Sequence, residues 1–248
     1  MIYRICFIII IFFSQAFSQD YLWPIKAKKE ITAVFGEERP GRYHTGVDIR
    51  TFGEIGYHLV AIDDGYISRI RTSSKGYGKT IYLTLHDGNT AVYAHLDHFT
   101  PEVDNLVNAL HEDYGKYTID HKIDPDDYPV KRGDLLGYSG DTGGVSGPHL
   151  HFEIRDGYGQ PVNPFLYSLD LPDNLPPEAE SIAVIPLDEN AVINGFSEQK
   201  IFPLQKINDN EYVLADTIFA FGNIGIAIKT IDKISGQHFN FGIYSINL

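Results

Sequence analysis

One cysteine, one methionine and one tryptophan are all that this chain of 248 residues offers. The cysteine, Cys6, lies among the first eighteen residues, so the remainder carries no thiol. That excludes a disulfide framework and a cysteine-built metal cluster. A metal centre further on has to come from histidine and carboxylate. Positive charge is scarce as well: 20 Lys and Arg stand against 33 Asp and Glu, for a net charge of −13. Such a deficit argues against nucleic acid, whose binders present basic faces. It leaves room for a polyanionic wall polymer, because a local site can differ from the net charge. The apolar run Cys6 to Phe13 is too short for a typical membrane span. With Arg4 before it and Ala16-Phe17-Ser18 after it, residues 1–18 read as a signal peptide. The alternative is a retained anchor. After cleavage no stable membrane insertion is expected, and the mature chain is expected in the periplasm, the cell envelope or outside the cell.

An apolar share of 43% supports a real core. The stretch Gly147-Pro148-His149-Leu150-His151-Phe152-Glu153-Ile154-Arg155 reads as a strand. Alternation puts His149, His151, Glu153 and Arg155 on one face and Leu150, Phe152 and Ile154 on the other. The plain reading is the polar face of an edge strand. The functional reading is a pair of imidazoles for metal or proton chemistry. Upstream lies His44-Thr45-Gly46-Val47-Asp48. In an extended segment positions four apart stand about 13 Å from each other. His44 and Asp48 meet on one ion only if the chain bends, which Gly46 permits.

Short alternating runs fill residues 59–96, with Asp64-Gly65 and Asp87-Gly88 as turns. On the run Thr90 to Leu96, Tyr93 and His95 are expected to share a face opposite Val92 and Ala94. By itself His95 reads as structural. Residues 100–129 break the pattern. Pro101 to Asp113 predicts an amphipathic helix with Val103, Leu106, Val107 and Leu110 on its apolar stripe and Thr100 as its cap. Asp120 to Tyr128 reads as acidic and irregular. A loop with four glycines, Gly140 to Gly147, leads straight into His149. Residues 171–177, rich in proline, read as a linker. Residues 178–248 read as a small β-sandwich, with strands near 182–185, 212–215, 224–231 and 239–246. This unit is expected to end on a core strand or to be incomplete. No motif in it carries chemistry.

The sequence resembles the lysostaphin/LytM-type zinc endopeptidases, which cut peptide bonds in bacterial cell walls. The matching pieces, in the family's order, are His44-x-x-x-Asp48, Tyr93-Ala94-His95-Leu96, Gly-Asp-Leu-Leu-Gly-Tyr-Ser-Gly-Asp-Thr-Gly at 133–143, and Gly147 to Glu153. They cover roughly residues 25–167 by the same motif reading. The resemblance implies an all-β fold: an antiparallel β-sandwich or open barrel over residues 19–170, with the helical insertion 100–129. It implies one Zn2+ per chain bound by His44, Asp48 and His151, with His95 and His149 flanking the bound water. It implies hydrolysis of peptidoglycan peptides, at stem-peptide crosslinks or cross-bridges.

Zinc would acidify the water, and one of His95 and His149 would carry the proton to the leaving amine. Glu153 is assigned a structural or supporting role beside His151. His58, His86, His98, His111, His121 and His238 receive no function. The family also contains degenerate members that lost ligands and activate other wall hydrolases, so the competing reading is a silent wall-binding or activating module. A third is an adhesion protein working through residues 178–248. Because all five positions are filled, the enzyme reading is preferred. The long stretch 100–129, where compact members have a short connection, is expected either to wall the substrate cleft or to pack away from it.

Overall fold

The computed structural model describes residues 20–167, 169 and 171–247. The signal peptide expected over 1–18 lies outside the described residues. No helix among the described residues is long and apolar enough to cross a membrane.

The first unit contains strands β1 (Ile31–Ala33), β2 (Glu38–Arg39), β3 (Arg42–Tyr43), β4 (Val47–Arg50), β5 (His58–Val60), β6 (Gly65–Thr72), β7 (Lys79–Leu85) and β8 (Thr90–Phe99). Helix α1 (Pro101–Tyr114) follows, then β9 (Ile119–Lys122), β10 (Pro129–Val130), β11 (Leu135–Ser139), β12 (His149–Arg155) and β13 (Pro161–Val162). An antiparallel sheet runs in the order β1-β4-β12-β8-β7-β6-β10, with β11 joining β5 to β8. The central strand β12 lies between β4 and β8, which places His151 opposite both Asp48 and Ala94. Leu150, Phe152 and Ile154 are fully buried on the core face, as alternation predicts. Phe152 meets Tyr93 edge to face at 5.2 Å. Burying each such side chain contributes about 1.5–3 kcal/mol. The opposite face of β12 is no solvated edge: His151 and Glu153 are buried too, beneath flanking loops.

Two expectations change here. Residues 119–122 are strand rather than irregular, while 123–128 are turn and loop as expected. After α1 ends at Gly115 in the left-handed conformation, β9 and β10 both pair with β6. Ile119 and Ile123, two buried apolar residues, bring this acidic segment back onto the sheet. The second change concerns β8. Tyr93 pairs with Phe152 and points to the core, where its hydroxyl donates to the Val60 carbonyl at 2.9 Å. Unbroken alternation would send His95 the same way, two residues on. Instead the β7–β8 register slips between Ile81↔Tyr93 and Lys79↔Leu96, and His95 adopts φ +65°. This bulge turns His95 out of Tyr93's face.

The second unit holds β14 (Glu178–Pro186), β15 (Val192–Ile193), β16 (Lys200–Asn208), β17 (Glu211–Leu214), β18 (Ala220–Phe221), β19 (Ile224–Lys233) and β20 (Asn240–Phe241). Five of them form one antiparallel sheet, β17-β16-β14-β19-β20, and β15 pairs with β18. Only Asn240–Phe241 is strand in the terminal run expected over 239–246. Ile234 and Phe241 join the core cluster of the first unit. Gln237 accepts a hydrogen bond from the Ile31 backbone, at 3.0 Å.

Candidate metal centre

His44, Asp48 and His151 converge on one point. His44 Nε2 lies 3.1 Å from Asp48 Oδ1 and 3.0 Å from His151 Nδ1, and His151 Nδ1 lies 2.9 Å from Asp48 Oδ1. All three side chains are buried. The bend between His44 and Asp48 falls at Gly46, but positive φ is not what requires glycine there. A Cβ on Gly46 would stand 2.2 Å from the Phe152 carbonyl oxygen. The missing side chain lets this segment lie against β12, so residues four apart in sequence reach the same atom of His151. His44 is fixed further by its backbone, which exchanges hydrogen bonds with Gly36 and Glu37 at 2.8 Å each.

The hydrogen bonds set the tautomers. His44 Nδ1 lies 2.8 Å from the Val34 carbonyl, which can only accept, so this nitrogen carries the proton and Nε2 offers a lone pair. His151 Nε2 lies 2.9 Å from Glu153 Oε1, so it donates and Nδ1 faces the centre. Two imidazole lone pairs and a carboxylate oxygen then point at one another. That arrangement repels unless a proton or a cation lies between them. Burial pulls the His151 pKa down, but hydrogen bonds to the Asp48 and Glu153 carboxylates overcome it and raise the value. Burial pushes Asp48 up, and hydrogen bonds from His151 and His44 hold it far below the carboxylate range. A cation here competes with protons for these donors. Two nitrogens and one oxygen suit a divalent transition metal, and the group is consistent with a metal site.

Two more imidazoles border this centre. His149 Nδ1 donates to the Gly147 carbonyl at 2.9 Å, and its Nε2 stands 3.6 Å from Asp48 Oδ1. His95 Nδ1 donates to the Thr142 carbonyl at 2.9 Å. Its ring centre lies 4.8 Å from that of His149 and 5.9 Å from that of His151. Burial first, then the neighbouring His149, pulls the His95 pKa down to about 4, so it is neutral at pH 7. The loops carrying these contacts pack backbone on backbone: a Cβ on Gly143 would meet Gly76 and Gly78 at 2.4 Å.

Sequence reasoning missed two contributors. Tyr77, between Gly76 and Gly78 in a segment read only as loop, hydrogen-bonds both Thr45, at 3.0 Å, and the carboxylate of Glu153. Burial, then Glu153, pushes the Tyr77 pKa up to about 12 and keeps its hydroxyl a donor. Glu153, fully buried, accepts from His151, Thr45, Tyr77 and Arg155. Despite burial, these partners hold its pKa at about 2, so it stays ionised and fixes the His151 ring. The second is Arg39, whose Nη2 lies 2.9 Å from the other oxygen of Asp48. A tyrosine flanked by two glycines and an arginine in a charged loop were the only signals of either. His98 is placed elsewhere, stacked on Tyr138 at 4.1 Å.

The pattern described as Peptidase family M23 matches residues 113–164, which include His149 and His151. Over this span the chain carries the M23 peptidase pattern. The DD-carboxypeptidase/endopeptidase Mpg of Neisseria meningitidis is 31% identical over 132 residues, 53% of this chain and 24% of the relative. Lysostaphin of Staphylococcus simulans is 32% identical over 134 residues, 52% of this chain and 22% of the relative. The chain spans about a quarter of the length of these relatives. The solved catalytic domain of lysostaphin overlaps 56% of this chain and 92% of its own, with 28% identity and a TM-score of 0.40.

Proposed function

We propose that this chain is an exported zinc metalloendopeptidase that hydrolyses peptide bonds of peptidoglycan. The observation that carries the reading is the convergence of three buried metal-type donors with two further imidazoles beside them. His44 Nε2, Asp48 Oδ1 and His151 Nδ1 would hold one Zn2+ in the groove they line. When bound, zinc supplies Lewis acidity toward a peptide carbonyl and lowers the pKa of water toward about 7.

The chain's own residues do the rest. His149 and His95 are anchored through Nδ1, so each keeps Nε2 available. One takes the proton from the attacking water and returns it to the departing amine; the other, when charged, steadies the oxyanion. Glu153 keeps His151 in the tautomer that presents Nδ1. Tyr77 and Thr45 hold Glu153 in turn. Residues 19–170 form the peptidase unit in this reading, and 178–248 a second unit of separate role.

The test is digestion of purified cell walls by the zinc-loaded protein, followed by mass spectrometry of the soluble muropeptides. New peptide termini, absent after chelation and restored by Zn2+, are expected. A protein that binds walls and one equivalent of zinc yet releases no peptide would instead be the silent wall-binding module.

A further inference from the structure

The hairpin β2–β3 stands at the mouth of the groove and is tied to the metal centre at its base, where Gly36 and Glu37 pair with the His44 backbone. Its turn is Pro40-Gly41, with Gly41 at φ +73°. The residues on either side of that turn, Arg39 and Arg42, pair directly across the hairpin. Like charges in directly opposed positions destabilise a ribbon. The groove's lining includes both arginines, with Glu37, Tyr43, His44, Asp48 and His149 among their neighbours. Its acids engage Arg39 and leave Arg42 without an acidic partner among the described residues. Asp48 gives Oδ1 to the centre and Oδ2 to Arg39, and Glu37 reaches only Arg39, at 3.7 Å. Arg42 is exposed and has no acidic partner among the described residues, in a chain that carries 33 acids.

We propose that Arg39 and Arg42 form a carboxylate-recognition subsite, which reads a free C-terminal carboxylate on the substrate peptide beside the bond that is cut. The inference rests on the peptidase reading and adds a preference for peptide ends. A guanidinium presents five donors in a planar fork matched to a carboxylate. Arg39 spends part of its fork on Asp48, which fixes its head next to the metal centre; Arg42 supplies a free fork across the turn. An anion between them also removes their mutual repulsion. Because Arg39 touches a metal-binding carboxylate, a peptide end held there lies within a residue or two of the centre, given about 3.3 Å per extended residue.

The experiment compares one acetylated peptide ending in D-alanyl-D-alanine with the same peptide as its C-terminal carboxamide. Binding is measured by calorimetry on the zinc-loaded full chain carrying His149→Ala, so that turnover does not enter. Cleavage is measured separately with His149 intact. The carboxylate form is expected to bind about tenfold more tightly than the amide, which corresponds to about 1.4 kcal/mol. Adding Arg42→Gln should bring the ratio close to one, and Arg42→Lys should restore part of it. Arg42→Gln should melt at the same or a higher temperature, since it relieves a like-charge pair. Equal binding of the two peptides by the parent protein overturns the proposal. So does an undiminished preference in Arg42→Gln, which would assign the carboxylate to the metal alone. If binding discriminates as stated but nothing is cleaved with His149 intact, the subsite stands and the hydrolase reading falls.

Discussion

Gly46→Ala adds one methyl group where the chain has no room for it. The new Cβ would stand 2.2 Å from the Phe152 carbonyl oxygen and 2.9 Å from Glu153 Cγ. Carbon and oxygen approach to about 3.3 Å at closest, so one segment must retreat by about 1 Å. Neither can retreat alone, because β4 and β12 are paired from Val47↔Phe152 to Arg50↔His149. Overpacking of this kind costs about 1–3 kcal/mol. The larger effect falls on the centre. Its donor atoms are spaced 2.9–3.1 Å apart. Metal–ligand distances tolerate only about 0.2 Å. A 1 Å shift of His44 relative to His151 therefore removes a ligand, and misplacement on that scale costs about 100-fold in rate. Gly147→Ala is the control: its Cβ meets nothing within 4 Å, and its carbonyl remains for His149. Chelator competition for zinc and thermal melting, run on both variants, test the reasoning. A Gly46→Ala protein that binds zinc as tightly as its parent would refute the claim that this contact holds the site together.

Further expectations concern the histidines and their carboxylate. Asp48→Ala should weaken zinc binding by more than about 100-fold and abolish turnover, which metal analysis after dialysis checks; full occupancy would remove Asp48 from the ligand set. His95→Ala and His149→Ala should retain the metal while kcat falls by about 10²–10⁴; loss of metal from either would make that histidine a ligand. His95 also links stability to pH. Its pKa is about 4 when folded and 6.5 in the ordinary state, so the unfolded chain binds the extra proton first and stability falls as pH drops through that window. Comparing the metal-free protein with His95→Gln by urea unfolding at pH 7 and 4.5 should show an excess loss of roughly 2–3 kcal/mol in the parent. Equal slopes would contradict the buried, neutral His95.

What could be read from the sequence was what regular backbone dictates. The run Leu135–Ser139, the strand His149–Arg155 and the start of α1 at Pro101 follow from alternation, turn residues and proline in the first helical turn, although the side chain of Thr100 does not cap the helix as expected. The partition of His151 and Glu153 from Phe152 follows from the strand period alone. The candidate centre was harder, because it depends on two departures from regularity. One is the close approach at Gly46, visible in the sequence only as a permitted bend. The other is the bulge at His95, where period-two reasoning assigned Tyr93 and His95 to one face and the left-handed backbone separates them. Tyr77 and Arg39 were illegible for a different reason. Each acts through a carboxylate distant in sequence, Glu153 or Asp48, and neither alternation nor helical spacing encodes such pairings.

The insertion 100–129 shows how a local reading can find an element and leave its duty open. The stripe of Val103, Leu106, Val107 and Leu110 does dock, with Val103 and Val107 buried. Following directly after His95 in sequence made it a candidate wall of the groove. Yet β8 runs on to Phe99 before the helix begins, and no residue of 100–129 lines the groove around His44, Asp48 and His151. The segment's strands pair with β6 instead, adding backbone hydrogen bonds along that edge. His111 Nε2 and the Tyr117 carbonyl both hold the buried hydroxyl of Thr72, the last residue of β6. Thr72 in turn leads into the loop 73–78, which brings Gly76 and Tyr77 to the groove. In the proposed enzyme, the insertion would bear on the centre through the stiffness of that loop. A buried, doubly engaged threonine at the loop's root limits how far Tyr77 can move away from Glu153, and so how far His151 can turn from the centre.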